Sequence, residues 1–218
     1  MLPRESCKQV CTCLSLGMDI RDKILQAAAA VYAESGFRGA TTRRIAMVAD
    51  VNEVSIFRHF GSKAALLHEA VQAAGLFPQV PELPQTPCNP LVELTAWAKA
   101  HHAQLVAKRS LIRTCLGECE EHPDILPPGD SSSHRTQQAL SEYLQRLSRS
   151  GIIASHHDLR TATEMLTGVL FADAMGRDIM PGLFHASEDE TIKNYVSILL
   201  SALGLEQPTA TLSDKAVR

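Results

Sequence analysis

Apolar residues recur at helical spacing along almost the whole chain. Ile20, Ile24, Ala27, Ala28 and Val31 fall at i, i+4, i+7, i+8 and i+11, the stripe of an amphipathic helix, and predict a first helix over 19–35. Asp19 stands where an N-cap belongs, and Gly36 where the chain leaves a helix in the left-handed conformation. A short second helix is predicted from Thr41 or Thr42, either of which can cap it, to about Ala49. Asp50-Val51-Asn52 then breaks the run, since Asp and Asn tolerate positive φ and Asn52 can cap the next helix. A third short helix covers Glu53 to His59, with Glu53 in the first turn, where a carboxylate suits the dipole. Gly61 ends it, and Ser62 caps a fourth helix from Lys63 to about Gly75.

Pro78, Pro81, Pro84, Pro87 and Pro90 come next, a density that excludes a long helix and marks a linker. Helical stripes then resume. Residues 90–109 carry Leu91, Leu94, Ala98, His101 and Leu105, with Pro90 suited to a helix start. Residues 110–121 place Leu111, Ile112, Cys115, Leu116 and Cys119 on one face. After a Pro/Gly/Ser loop over 123–133, residues 134–150 carry Leu140, Tyr143, Leu144 and Leu147 and close on Gly151. Residues 158–178 carry Leu159, Ala162, Leu166, Val169 and Leu170; Pro181-Gly182 breaks the chain; residues 189–204 carry Ile192, Tyr195, Val196, Leu199 and Leu203. No segment has the strand period and none repeats. The pattern predicts an all-α fold with an N-terminal helical domain over 18–75, a larger helical bundle over 76–207 and a flexible tail over 208–218. Residues 1–17 show no period that runs into the first helix, so they are expected to be a disordered arm, or to precede a true start at Met18.

Composition sharpens this reading. Aromatics are 5% of the 218 residues, which favours helix over sheet. The net charge of −3 argues against binding nucleic acid through bulk charge. Its distribution is more permissive: residues 18–75 hold seven Lys/Arg against six Asp/Glu, while residues 76–218 hold 12 against 17. Any DNA affinity must come from placement and pairing of subunits. Six cysteines in a chain this large and helical do not demand a disulfide scaffold, and no apolar run reaches the length of a membrane span. A reducing cytoplasm is the expected location.

Two short helices joined by a tight turn and flanked by longer ones describe a DNA-reading helix-turn-helix. The third helix is the candidate for the major groove, with Glu53, Val54, Ser55 and Arg58 outward and Val51, Ile56 and Phe60 inward. Thr42, Arg43 and Arg44 open the second helix, and Lys63 the fourth; helix N-termini are natural phosphate sites. The residues themselves resemble a known family. Arg21-x-x-Ile24-Leu25-x-Ala27-Ala28, Glu34-Ser35-Gly36-Phe37, Thr41-Thr42-Arg43-Arg44-Ile45-Ala46 and Phe57-Arg58-His59-Phe60-Gly61-Ser62-Lys63 with Leu66-Leu67 are similar in unbroken spacing to the N-terminal domain of TetR/AcrR regulators. The stretch Cys119-Glu120-Glu121-His122-Pro123 is similar to a segment of some efflux-type members.

The resemblance implies a sequence-specific DNA-binding transcriptional regulator, a homodimer on a pseudo-palindromic operator, and a repressor released by a small apolar or aromatic effector. It places Thr42, Arg43 and Arg44 on phosphate and base edges, Glu53, Val54 and Ser55 on bases, and Phe57, Arg58, His59 and Lys63 on backbone phosphates. Two departures stand out: Asp50 replaces the usual turn glycine, and Phe57 replaces the usual tyrosine and loses its hydroxyl. Effector contacts are expected from Trp97, His101, Cys115, Cys119 and Phe171, and subunit pairing through the last two long helices, where Gly168, Ala172, Ala174 and Gly176 permit close approach.

Competing readings are plainer. Cys7, Cys11 and Cys13 lack an adjacent fourth ligand for zinc; Cys115 and Cys119 either pack or form a redox-sensing pair; His101 beside Trp97 suits a core histidine. No glycine loop, metal spacing or nucleophile-base arrangement points to an enzyme, and no cofactor or metal is expected. The rivals are a helical thiol or metal enzyme and an interaction module with a decayed reading head.

Overall fold

The computed structural model describes residues 19–76, 81–125, 132–154, 158–184 and 186–205. The expected N-terminal arm with Cys7, Cys11 and Cys13, the pair His156-His157 and the C-terminal tail lie outside the described residues. Among those residues the chain is all-α, with no strand. The helices are α1 (Ile20–Gly39), α2 (Thr42–Ala49), α3 (Glu53–Phe60), α4 (Lys63–Ala74), α5 (Pro90–Ala107), α6 (Arg109–Glu118), α7 (Ser132–Arg149), α8 (Leu159–Gly176) and α9 (Glu188–Ala202), with 3₁₀ turns at Pro123–Ile125 and Pro181–Leu183.

The described residues divide into two compact units, one from the Met1–Leu76 and Ser110–Pro127 segments, the other from Phe77–Arg109 and Pro128–Arg218. The first break, after Leu76, falls just before the proline-rich stretch. The segment from Ser110 differs from expectation, because it joins the N-terminal unit. Its residues supply the reason: Thr114 Oγ1 donates to the Ala33 carbonyl at 3.1 Å, both Glu118 carboxylate oxygens accept the Phe37 N–H, and the Asp124 carbonyl meets the His68 ring.

Helix boundaries in the N-terminal unit follow local chemistry. Thr41 Oγ1 accepts from the Arg44 N–H, Asn52 Oδ1 from Val54 and Ser62 Oγ from Ala65, three side-chain caps that satisfy otherwise orphaned donors. Asp19, by contrast, is extended but makes no side-chain cap. Gly36 does not simply end α1. It takes φ 66 and ψ −174, a kink after which Phe37–Gly39 continue as helix. Ile24, Ala28, Val31 and Tyr32 of α1 are buried with Leu66, Leu67, Ala70 and Val71 of α4, and Ile45, Ile56 and Phe60 anchor the two short helices to the same core.

In the C-terminal unit, α5, α7, α8 and α9 bury Leu94, Trp97, Leu140, Leu144, Leu147, Leu166, Leu170, Ile192 and Val196 in one cluster. A polar knot crosses it. Asp173, fully buried on α8, accepts from His102 Nε2 of α5 at 2.9 Å, from Arg177 through two nitrogens at 2.7 and 2.8 Å, and from Tyr195 Oη of α9 at 3.2 Å. Burial alone would raise its pKa, but the bonds from Arg177 and His102 outweigh that and hold the carboxyl below its ordinary value.

Candidate functional site

The turn between α2 and α3 is built by Asp50, which holds φ 55 and ψ 49 in the left-handed region as C-cap of α2. Asp tolerates that conformation because its short polar side chain bonds locally, so the departure from glycine keeps the turn. Ile56 and Phe60 pin one side of α3 to the core. The other side is left outward: Val54 is 71% exposed and Phe57 49%, and Arg58 and His59 are exposed beside them. Phe57 thus stands half in solvent, and it has no hydroxyl to donate.

The remaining positions differ in how free they are. Arg43 is exposed. Arg44 is half-buried and paired with Glu34 of α1 at 2.8 Å. Thr42 Oγ1 donates to Glu53 Oε1 at 2.5 Å, so the first residue of α2 is tied to the first residue of α3. That bond links the two short helices and engages one Glu53 oxygen. Ser55 is half-buried. Lys63, at the start of α4, holds its ammonium 4.2 Å from the centroid of the Phe37 ring, whose centroid lies 3.9 Å from that of His122. The ten positions therefore lie on α2, α3 and the start of α4, with Arg43, Val54, Phe57, Arg58 and His59 the most open. Sequence reasoning missed Met47 and Val48, exposed apolar residues on α2. Their signal was present as two apolar positions off the Ile45, Ala46, Ala49 stripe.

The five expected effector contacts fall into two groups. Trp97 and His101 on α5 and Phe171 on α8 belong to the C-terminal unit, whereas Cys115 and Cys119 belong to the N-terminal unit. Cys115 is buried, and burial pushes its thiol up to about 11, the opposite of an activated thiolate. Cys119 lies past the end of α6 and donates to the Leu116 carbonyl at 3.0 Å, and Leu116 is half exposed, so the expected apolar face of this helix narrows to Leu111, Ile112 and Cys115. In the C-terminal unit His101 and Phe171 line a cavity of about 320 Å³ between α5, α7 and α8, with Leu105 beside them. Trp97 is stacked on His101, ring centroids 5.4 Å apart. Burial, with the adjacent His102, lowers His101 to about 4, which keeps it neutral at physiological pH. On α8 and α9, an apolar groove of about 440 Å³ runs past Leu166, Val169 and Leu199, flanked by the outward side chains of Met165 and Ile198.

Among the described residues no cluster of His, Cys, Asp and Glu suits a metal ion, and no helix is long and apolar enough to cross a membrane.

Comparison with known proteins bears on the N-terminal unit first. Residues 24–70 match the family of bacterial regulatory proteins, tetR family. The HTH-type transcriptional repressor KstR2 of Mycobacterium tuberculosis is 34% identical over 95 residues, 39% of this chain and 48% of that one. The match thus spans about half the length of that relative. Among solved structures, GusR of Salmonella enterica superposes with a TM-score of 0.61 at 21% identity, over 86% of this chain and 98% of that one. FadR of Bacillus subtilis, in complex with stearoyl-CoA, superposes with a TM-score of 0.58 at 17% identity, over 83% and 97%. At those identities the likeness is one of fold. Capped and turned as described and matched over residues 24–70, the N-terminal helices are similar to the domain of the tetR family of bacterial regulatory proteins, and the chain as a whole shares the fold of these solved structures.

Proposed function

We propose that the chain is a sequence-specific DNA-binding transcriptional regulator, a repressor that occupies a pseudo-palindromic operator as a homodimer and leaves it when a small apolar effector binds the C-terminal unit. The observation that carries this reading is the outer face of α3. A rod of eight residues is pinned by Ile56 and Phe60 and turns Val54, Phe57 and Arg58 outward, with the N-termini of α2 and α4 available for phosphates. Val54 suits a thymine methyl, Arg58 a phosphate or guanine edge, and Arg43 the same from α2. The two-state logic is differential affinity: effector and operator favour different conformations, so each weakens binding of the other by the same factor.

The α8–α9 groove supports pairing of two copies, and the α5–α7–α8 cavity supports the effector, with His101 and Phe171 as contacts and Trp97 behind them. This reading makes the protein no enzyme and needs no cofactor; it belongs in the cytoplasm, where the operator is. The test is selection of bound duplexes from a random library with the full chain. The expected result is an inverted-repeat sequence whose binding weakens steeply with salt, as counterion release requires. Enrichment of no sequence, with binding insensitive to salt, would sink the reading.

A further inference from the structure

The cavity between α5, α7 and α8 carries more information than its volume. His101 stands in its wall at only 4% exposure, and no hydrogen bond to either ring nitrogen is present among the described residues; Nδ1 is fully buried without a partner. A buried imidazole without a bond is costly, and since Nδ1 has no accessible surface, Nε2 is the nitrogen that can take a partner from the cavity. Two polar residues of the lining are engaged elsewhere. Thr167 Oγ1 donates to the carbonyls of Thr163 and Glu164, and Glu164, exposed at the rim, accepts from Arg160 Nε at 3.0 Å. Leu105 and Phe171 make the wall apolar, and no lysine or arginine lines it.

From this arrangement we infer that the cavity takes a neutral amphipathic molecule, an apolar body bearing one hydroxyl or carbonyl oxygen that hydrogen-bonds to His101. This inference rests on the regulator reading only for the word effector. An anion entering would lose its hydration without meeting a cation and would pass Glu164 at the rim. A cation would find a carboxylate only at that exposed rim, already bonded to Arg160. A neutral hydroxyl suits His101 in either tautomer, since it can both donate and accept. The neutral state of the ring follows from the same burial that leaves it unpartnered. The volume is at the small end for ligand sites, which separates this cavity from one built for a polyanionic thioester of the kind bound by the stearoyl-CoA complex of Bacillus subtilis FadR.

The protein carries its own reporter. Trp97 is the single tryptophan of the chain and is stacked on His101, so its emission reads occupancy without any DNA. The experiment titrates the full chain with two matched series, decanol, decanoate and decylammonium, and p-phenylphenol, p-phenylbenzoate and p-phenylbenzylammonium, with biphenyl as the apolar reference. The neutral alcohol is expected to bind at least about ten-fold tighter than both charged analogues in at least one series.

Two variants locate the effect. His101→Phe keeps the ring and its stack but has no nitrogen; it is expected to erase the preference of p-phenylphenol over biphenyl and to leave biphenyl binding intact. Gly168→Leu is the second, because a Cβ at Gly168 meets nothing within 4 Å and the position lies on a helix at the cavity mouth. It is expected to weaken every probe while raising helix propensity. Equal or tighter binding of a charged analogue in both series, binding of no probe, or an alcohol preference that survives His101→Phe would each overturn the inference. Loss of operator selection with these ratios intact would instead remove the regulator reading alone.

Discussion

Arg43 and Arg44 are neighbours in sequence and opposite in use. Arg44 is held by Glu34, while Arg43 stands exposed at the start of α2. Arg43→Ala is therefore expected to weaken operator binding by about 1–3 kcal/mol and to relax preference at one base position, measured by fluorescence anisotropy against a panel of single-base variants. Unchanged affinity and preference would remove Arg43 from the interface. His101 makes a second prediction at this scale. Its ordinary value of 6.5 falls to about 4 in the folded chain, first through burial and then through His102. The unfolded chain takes up the proton first as pH falls, so the contribution of neutral His101 to stability is complete above 6.5 and is lost between 6.5 and about 4. Urea unfolding should show the wild type losing up to about 3 kcal/mol more than His101→Phe across that window. Equal losses would show that the buried imidazole titrates normally. The identity of these residues was readable from spacing, but their partners were not. Nothing local announces that Thr42 spends its hydroxyl on Glu53, or that Glu34 takes one arginine of two.

Among elements, the kink at Gly36 is the feature whose physics can be isolated. Its φ of 66 and ψ of −174 lie in a region that is essentially closed to residues with a side chain. A Cβ there would also stand 2.4 Å from Glu118 Oε1, the carboxylate that accepts the Phe37 N–H. Gly36→Ala is expected to cost about 1–3 kcal/mol from the backbone alone, with more from displacing Glu118. Adding Glu118→Ala should relieve the clash and leave the backbone part, so the double variant is expected to lie between the wild type and the single one in denaturant midpoint. A neutral Gly36→Ala would contradict the kink. The same region shows where reading by periodicity stops. Period and capping residues gave α2, α3 and α4 nearly residue by residue, because Thr41, Asn52 and Ser62 act on amides two or three positions away. Gly36 was legible as a break, but its conformation answers to Glu118, far along the chain. The stretch 110–121 looked like one more bundle helix because its stripe is helical whichever unit it serves; only the bonds from Thr114 and Glu118 assign it to the N-terminal unit.

At the scale of the whole molecule, the charge balance sets the problem that pairing must solve. A chain of net charge −3, with a basic excess of only one charge in residues 18–75, gains little from bulk charge when a single head meets DNA. Two linked heads turn the second contact into an intramolecular event, which raises affinity for a palindrome about 10²–10⁴-fold over a half-site. The groove between α8 and α9 is the surface suited to that link, since Met165 at 64% exposure and Ile198 at 68% leave apolar area in water beside a buried core. Both side chains point away from that core, so replacing either with glutamate leaves the monomer's packing intact. Ile198→Glu, and more strongly Met165→Glu with Ile198→Glu, is expected to give monomers by sedimentation velocity at concentrations where the wild type is dimeric. Their melting should be independent of protein concentration, and that of the wild type should rise with it. Half-site affinity should survive in the variants and the palindrome's advantage should vanish. A double variant that stays dimeric and still prefers the palindrome would place the link elsewhere in the molecule; one that loses half-site binding as well would mean the change had unfolded the head, which circular dichroism would register separately.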